Sequence, residues 1–150
     1  MKIYTLGSNA FTKKMVQMTD DLIAIGVDAF ISQHYRDLAA GKLKEFEDKW
    51  NNDTGGEKAK LKIEHDFFNF HYKHILGHDA VLIVNETKNE IENYIGGNVL
   101  IEMGQAYVNG KKIFLLNGLP TDKRIMYLDE IYALQPICLE GNLENIKKYI

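Results

Sequence analysis

A chain of 150 residues, 45% hydrophobic and 26% charged, has the size and mix of one ordered domain and leaves no room for a long disordered tail. Its net charge of -3 offers no basic field to a nucleic-acid backbone, so no nucleic-acid polymer is expected as a partner. No stretch approaches the ~18 apolar residues of a membrane span, and Met1 to Leu6 lacks a signal-peptide pattern, so a cytoplasmic protein without a membrane partner is expected.

Ile3 to Leu6 is a short apolar run that stops at Gly7-Ser8-Asn9. Met15, Met18, Leu22 and Ile25 then recur at helical spacing up to Gly26, and Val27 to Ser32 reads as a second strand. This is the order of one right-handed β-α-β unit with parallel strands. Tyr35 to Trp50 reads as a helix that leads into the polar stretch Asn51 to Gly56, a loop or lid. Glu57 to Gly77 reads as one long helix with Leu61, His65, Phe68, Tyr72 and Ile75 along one face. Asp79 to Val84 is continuous in apolar character, as a central parallel strand should be.

After a loop from Asn85 to Gly97, a helix is predicted from Asn98 to Asn109, with Gly110-Lys111-Lys112 as its stop. Ile113 to Leu116 is the fourth strand and Asn117 to Pro120 a turn. Asp122 to Leu134 reads as a helix, Ile137 to Leu139 as a fifth strand, and Leu143 to Tyr149 as a closing helix. The alternation predicts one α/β domain over residues 1–150, a flavodoxin-like or Rossmann-like three-layer sandwich. Its five-stranded parallel sheet is expected in the order 2-1-3-4-5. The single cysteine, Cys138, has no internal partner for a disulfide and reads as an inert core thiol. The aromatic-rich stretch Glu57 to Gly77 carries more apolar surface than one side of a sheet covers, so a homodimer or higher homo-oligomer is expected.

In an open parallel sheet, ligands bind beyond the carboxyl ends of the strands, where strand order reverses. Three segments converge there: Gly7-Ser8-Asn9, the loop from Asn85 to Asn98, and Asn117-Gly118. Gly7, Ser8 and Asn9 place a glycine, a hydroxyl and an amide at a helix N-terminus, where free N–H groups favour an anion such as a phosphate. Plain capping of the helix by Ser8 or Asn9 is the alternative. Gly96 and Gly97 permit close approach of backbone to ligand, and Asn98 and Met103 flank the same turn. Glu102 falls in the first turns of the following helix amid Val99, Leu100, Ile101 and Met103, so it is partly buried and needs a partner or a purpose. A glutamate exposed on the helix is the alternative.

His34, at the end of the second strand, is placed for a substrate contact or for solvent. His71 and His74, three apart, could with His78 ligate a metal, yet no carboxylate or cysteine at ligand spacing completes the set. Helix surface and helix end are their expected homes, and no metal or cofactor is expected. Trp50, Phe67, Phe68 and Phe70 read as core or dimer surface rather than as a platform for a base.

The segment Gly97 to Lys111, with its Glu-Met-Gly-x-Ala core and Gly-Lys ending, resembles the signature of the nucleoside 2-deoxyribosyltransferase family, which includes 2-deoxynucleoside 5-monophosphate N-glycosidases. Ile3-Tyr4 followed by Gly7 and Phe11-Thr12 is similar to that family's first strand and turn. The resemblance implies that Glu102 is a nucleophile attacking the anomeric carbon and that Tyr4 supports it. It implies an acidic or polar residue over the base, for which Asp66 and Asn85 are the candidates. It further implies a small nucleoside or nucleotide as the ligand. The chemistry suits the residues, since a carboxylate beneath a sugar traps or stabilises oxocarbenium character. The expected function is therefore cleavage or transfer of an N-glycosidic bond. A non-catalytic nucleotide sensor on the same fold, or an NAD glycohydrolase, are the alternatives.

Overall fold

The computed structural model describes residues 1–150. Five parallel strands form one sheet in the order β2-β1-β3-β4-β5, with helices on both faces: a flavodoxin-like three-layer α/β fold, as the alternation predicts. The strands are β1 (Lys2–Gly7), β2 (Asp28–Phe30), β3 (Ala80–Val84), β4 (Lys112–Leu115) and β5 (Ile137–Cys138). The helices are α1 (Thr12–Ala24), α2 (Gln33–Ala39), α3 (Lys44–Asn51), α4 (Glu57–Glu64), α5 (Phe67–Leu76), α6 (Gly97–Val108) and α7 (Leu128–Ala133). No helix is long and apolar enough to cross a membrane.

Successive residues of a strand point to opposite faces, and this divides the core in two. Ile3, Leu82, Val84 and Phe114 pack with Met15, Met18 and Leu22 of α1. Tyr4, Leu6, Val81, Ile83 and Leu115 pack with Ile75 of α5 and Val99, Met103 and Ala106 of α6. A tyrosine on β1 therefore points into the layer that also carries the helix with Glu102. At the end of β1 a side chain on Gly7 would come within 3.0 Å of the Val84 carbonyl and 3.1 Å of the Met15 sulfur, so glycine lets β3 and α1 close on the turn.

Several predicted elements are shorter or divided. The stretch from Tyr35 to Trp50 is two helices, because Gly41 adopts a φ of +72° and the Lys42 N–H bonds back to the Asp37 carbonyl at 2.9 Å, a glycine-terminated helix end. The stretch from Glu57 to Gly77 is also two helices. Asp66 sits between them at a φ of 49°, a left-handed conformation that short polar side chains tolerate. The break resets the helical phase, so Ile75 and His71 turn inward while Phe68 and His65 are exposed. Residues 122–127 are not helical, because Asp122 accepts from the Arg124 N–H at 2.9 Å and from the Arg124 guanidinium, which competes with a helical turn. The closing segment is a run of 3-10 turns, Leu143–Lys148, held by buried Ile146. The second strand stops at Phe30, since Ser32 turns to cap α2. Cys138 is half-buried on the edge strand rather than in the core, and burial pushes its thiol up from the ordinary range.

Candidate active site

The short turn at the end of β1, the loop after β3 and the helices α2 to α5 enclose a cleft with a volume of about 1150 Å³. It lies over the junction of β1 and β3, where the chain's connections leave in opposite directions and where such sheets hold ligands. Of the residues expected at a site, Gly7, Ser8, Asn9, His34, Gly96, Gly97, Asn98 and Glu102 line it. Ser8 does cap, accepting from the Ala10 N–H at 3.4 Å, but it caps a single 3-10 turn (Asn9–Phe11) that runs into α1 rather than the α-helix itself. Space is open for 4 Å around the place where a Gly97 side chain would begin.

Glu102 forms part of the floor. Only 7% of its surface is exposed, and burial raises its carboxyl to about pH 8, against the opposing pull of the Lys62 ammonium. The free protein therefore holds it largely protonated at neutral pH. Tyr4 does not line the cleft and reaches Glu102 through His71. The Tyr4 hydroxyl lies 2.7 Å from His71 Nδ1, and His71 Nε2 lies 3.8 Å from Glu102 Oε1. At that separation the imidazole and carboxyl are in contact range without a hydrogen bond. They are not an ion pair either, since burial, together with the nearby His74 and His34, lowers His71 to about 4 and keeps it neutral. Burial likewise raises the Tyr4 hydroxyl far above its ordinary value, so it stays a donor. It has no acceptor other than Nδ1, which leaves the His71 proton on Nε2, facing Glu102. Tyr35 stacks on the same imidazole with ring centroids 5.9 Å apart.

One wall is aromatic. Phe46 and Trp50 stack at 5.8 Å, and His34 meets the edge of Phe46 at 4.8 Å and lies 5.3 Å from Phe67. Burial lowers His34, so it offers one N–H donor and one acceptor rather than a charge. The mouth is cationic: Lys13, Lys14, Lys58, Lys62 and Lys88 line it against two acids, Glu47 and Glu102.

Other expected residues are placed elsewhere. Asp66 is exposed at the break between α4 and α5, where it accepts from the Asn69 amide at 3.0 Å, and it does not reach the cleft. Asn85 is fully buried and ties the ends of β3 and β4 together. Its amide donates to the Gly118 carbonyl at 2.9 Å and its Oδ1 accepts from the Asn117 N–H at 2.9 Å, while the Asn117 amide donates to the Asn85 carbonyl at 3.0 Å. Met103 is sealed in the core. Asn85, Asn117 and Met103 therefore shape the base of the sheet's carboxyl edge rather than touch a ligand in the cleft.

His71, expected on a helix surface, is buried beside Glu102, and Trp50, Phe67 and Phe68 line the cleft rather than only core or dimer surface. Once α5 is phased from Asp66, the spacing Phe67, His71, Ile75 is the signal that finds His71. The i, i+4 pair Lys58 and Lys62 is the corresponding signal on α4. No group of three or more His, Cys, Asp or Glu side chains is placed to hold a metal ion. Comparison with protein-family models, with curated proteins and with solved structures finds no match.

Proposed function

We propose that this protein cleaves or transfers the N-glycosidic bond of a nucleoside or nucleotide, with Glu102 as the nucleophile. The observation that carries the reading is a buried carboxylate in the floor of a cleft with an aromatic wall and a cationic mouth. The resemblance of Gly97 to Lys111 to the nucleoside 2-deoxyribosyltransferase family supports it.

In this chemistry the ionised Glu102 attacks the anomeric carbon, the bond from that carbon to the base nitrogen breaks, and its electron pair leaves with the base, which takes up a proton. Water, or the nitrogen of a second base, then attacks the anomeric carbon of the glycosyl ester, the bond from that carbon to Glu102 breaks with its electron pair returning to the carboxylate, and the nucleophile's proton passes to solvent. The Nε2–H of His71 faces the carboxylate and, held by Tyr4, stabilises its ionised form as the gap between them closes. His34, Phe46 and Trp50 supply the wall against which a base stacks, with His34 able to bond its edge. Apolar residues exposed on α4 and α5, among them Ile63, Phe68 and Leu76, support a homodimer.

The raised carboxyl of Glu102 favours a second reading, a sensor in which the neutral acid only donates a hydrogen bond to a bound nucleotide. Incubation with a panel of nucleosides, nucleoside monophosphates and NAD, followed by chromatography for free base, separates the two. Release of base from at least one compound is the expected result. Saturable binding with no release of base from any of them would establish the sensor.

A further inference from the structure

The cleft lysines have no ion-pair partners inside the protein. None of Lys13, Lys14, Lys58, Lys62 and Lys88 has a carboxylate oxygen within 4.0 Å, although the surface elsewhere pairs Arg36 with Asp20, Lys49 with Glu45 and Lys147 with Glu144. Three of the five converge. Lys58 and Lys62, one turn apart on α4, hold their ammonium groups 5.5 and 5.6 Å from the centre of the Trp50 ring, and Lys62 donates to Asn98 Oδ1 at 2.9 Å. Lys88, from the loop after β3, lies 5.1 Å from the Tyr94 ring and donates to Ser8 Oγ at 3.4 Å. Lys58, Lys62 and Lys88 line the same cleft; burial lowers both Lys62 and Lys88, and the charge of Lys58 lowers both further. Asp53 and Glu102 act on Lys62 in the opposite sense, and the latter is itself held protonated.

Three half-buried ammonium groups lining one cleft without a carboxylate partner make a field that a single phosphate of charge about -1.5 to -2 does not neutralise. The cleft, at about 1150 Å³, is also larger than the roughly 300–1,000 Å³ of common small-molecule pockets. We propose that the ligand carries a chain of two or more phosphoryl groups on its sugar, gripped by Lys58, Lys62 and Lys88, with Lys13 and Lys14 at the open end. The ligand class is thus the 5′-pyrophosphoryl nucleosides: free nucleoside di- and triphosphates, or dinucleotides joined by a pyrophosphate. This rests on the cleft being a nucleotide site, as proposed above, and narrows its substrate.

Calorimetry at low salt tests it with inorganic phosphate and inorganic pyrophosphate, which have no glycosidic bond, and with the 5′-mono- and diphosphates of the four deoxynucleosides and NAD. Pyrophosphate is expected to bind about tenfold or more tightly than phosphate, and at least one diphosphate or NAD to exceed the monophosphates by a similar factor. The Lys58→Ala/Lys62→Ala double variant, checked for an unchanged melting temperature, is expected to abolish that gap. Should the double variant melt lower, the single Lys58→Ala and Lys62→Ala variants are expected each to narrow it. Preference for a diphosphate over NAD, or the reverse, identifies the source within the class. Equal affinity for phosphate and pyrophosphate, or a gap that survives in the folded variants, overturns the proposal. Base release from nucleosides or monophosphates would then still uphold the glycosidic reading, so the two failures are separable.

Discussion

Asn85 and Asn117, at the ends of β3 and β4, satisfy one another and the Gly118 carbonyl, whereas Glu102 and His71 stand 3.8 Å apart without a hydrogen bond between them and the cleft lysines have no carboxylate beside them. Both groups are polar and both lie where a parallel sheet holds its ligands. In the first, both ends of the Asn85 amide and the Asn117 amide nitrogen are matched by groups from the neighbouring strand end, and the result is a tie between two loops. In the second, a carboxyl is held protonated, an imidazole is held neutral and ammonium groups line one cleft. The contrast teaches that polar residues around a sheet's carboxyl edge point to function when their charges are left uncompensated.

The sharpest break of this comparison is Glu102→Gln. It is expected to lower base release about 10³-fold or more, with ligand affinity little changed, since a nucleophile acts mainly in the transition state. The same substitution has a signed effect on stability. The carboxyl is raised from its ordinary value to about 8 by burial, so its contribution to stability is full below the ordinary value and is lost as pH rises through about 8. Glu102→Gln should therefore melt above the unmodified protein at pH 9 and close to it at pH 5, as differential scanning calorimetry would read. Activity of the unmodified protein should run the other way, rising up to about tenfold per pH unit below 8 as the carboxylate forms. A flat rate profile between pH 6 and 9 would contradict the assignment.

Asn85→Ala tests the other side. It strands the half-buried Asn117 N–H and Gly118 carbonyl, at a cost of about 1–2 kcal/mol of stability measured by denaturant unfolding. The pH at which activity turns on should not move. A third, smaller effect is expected from Tyr4→Phe, which removes one hydroxyl and changes little volume. Without that donor the His71 tautomer is no longer held, and the turnover rate should fall about tenfold, the worth of one buried hydrogen bond. KM should stay near its value because Tyr4 does not line the cleft, and the midpoint of the pH profile should move upward. A residue that merely packs would leave that midpoint in place.

Much of this was legible in the residues alone. The apolar runs at Ile3, Asp79 and Ile113 and the helical spacing between them dictate a parallel sheet with helices on both sides, because burial of a strand on two faces and of a helix on one leaves those patterns locally. Glu102 could be found the same way, as a charge among apolar neighbours in a helix that follows paired glycines. The lengths of the elements were less legible. A single left-handed residue, Asp66 or Gly41, divides a helix, and nothing in apolar spacing marks an aspartate as the one residue that will turn.

The sequence by itself determined the alternation of strands and helices along the chain, the turn at Gly7 and the helix that presents Glu102, since each depends on neighbours within a few positions in the chain. Only the tertiary structure decided which polar groups meet. Tyr4 and His71 are 67 residues apart, Lys88 and Ser8 are 80, and Asn85 and Asn117 are 32. Asp66 was left outside the cleft and His71 brought into it by one break in helical phase. Whether a side chain is partnered, charged or neutral depends on what lies across space, and that is set by how the layers close rather than by any local pattern.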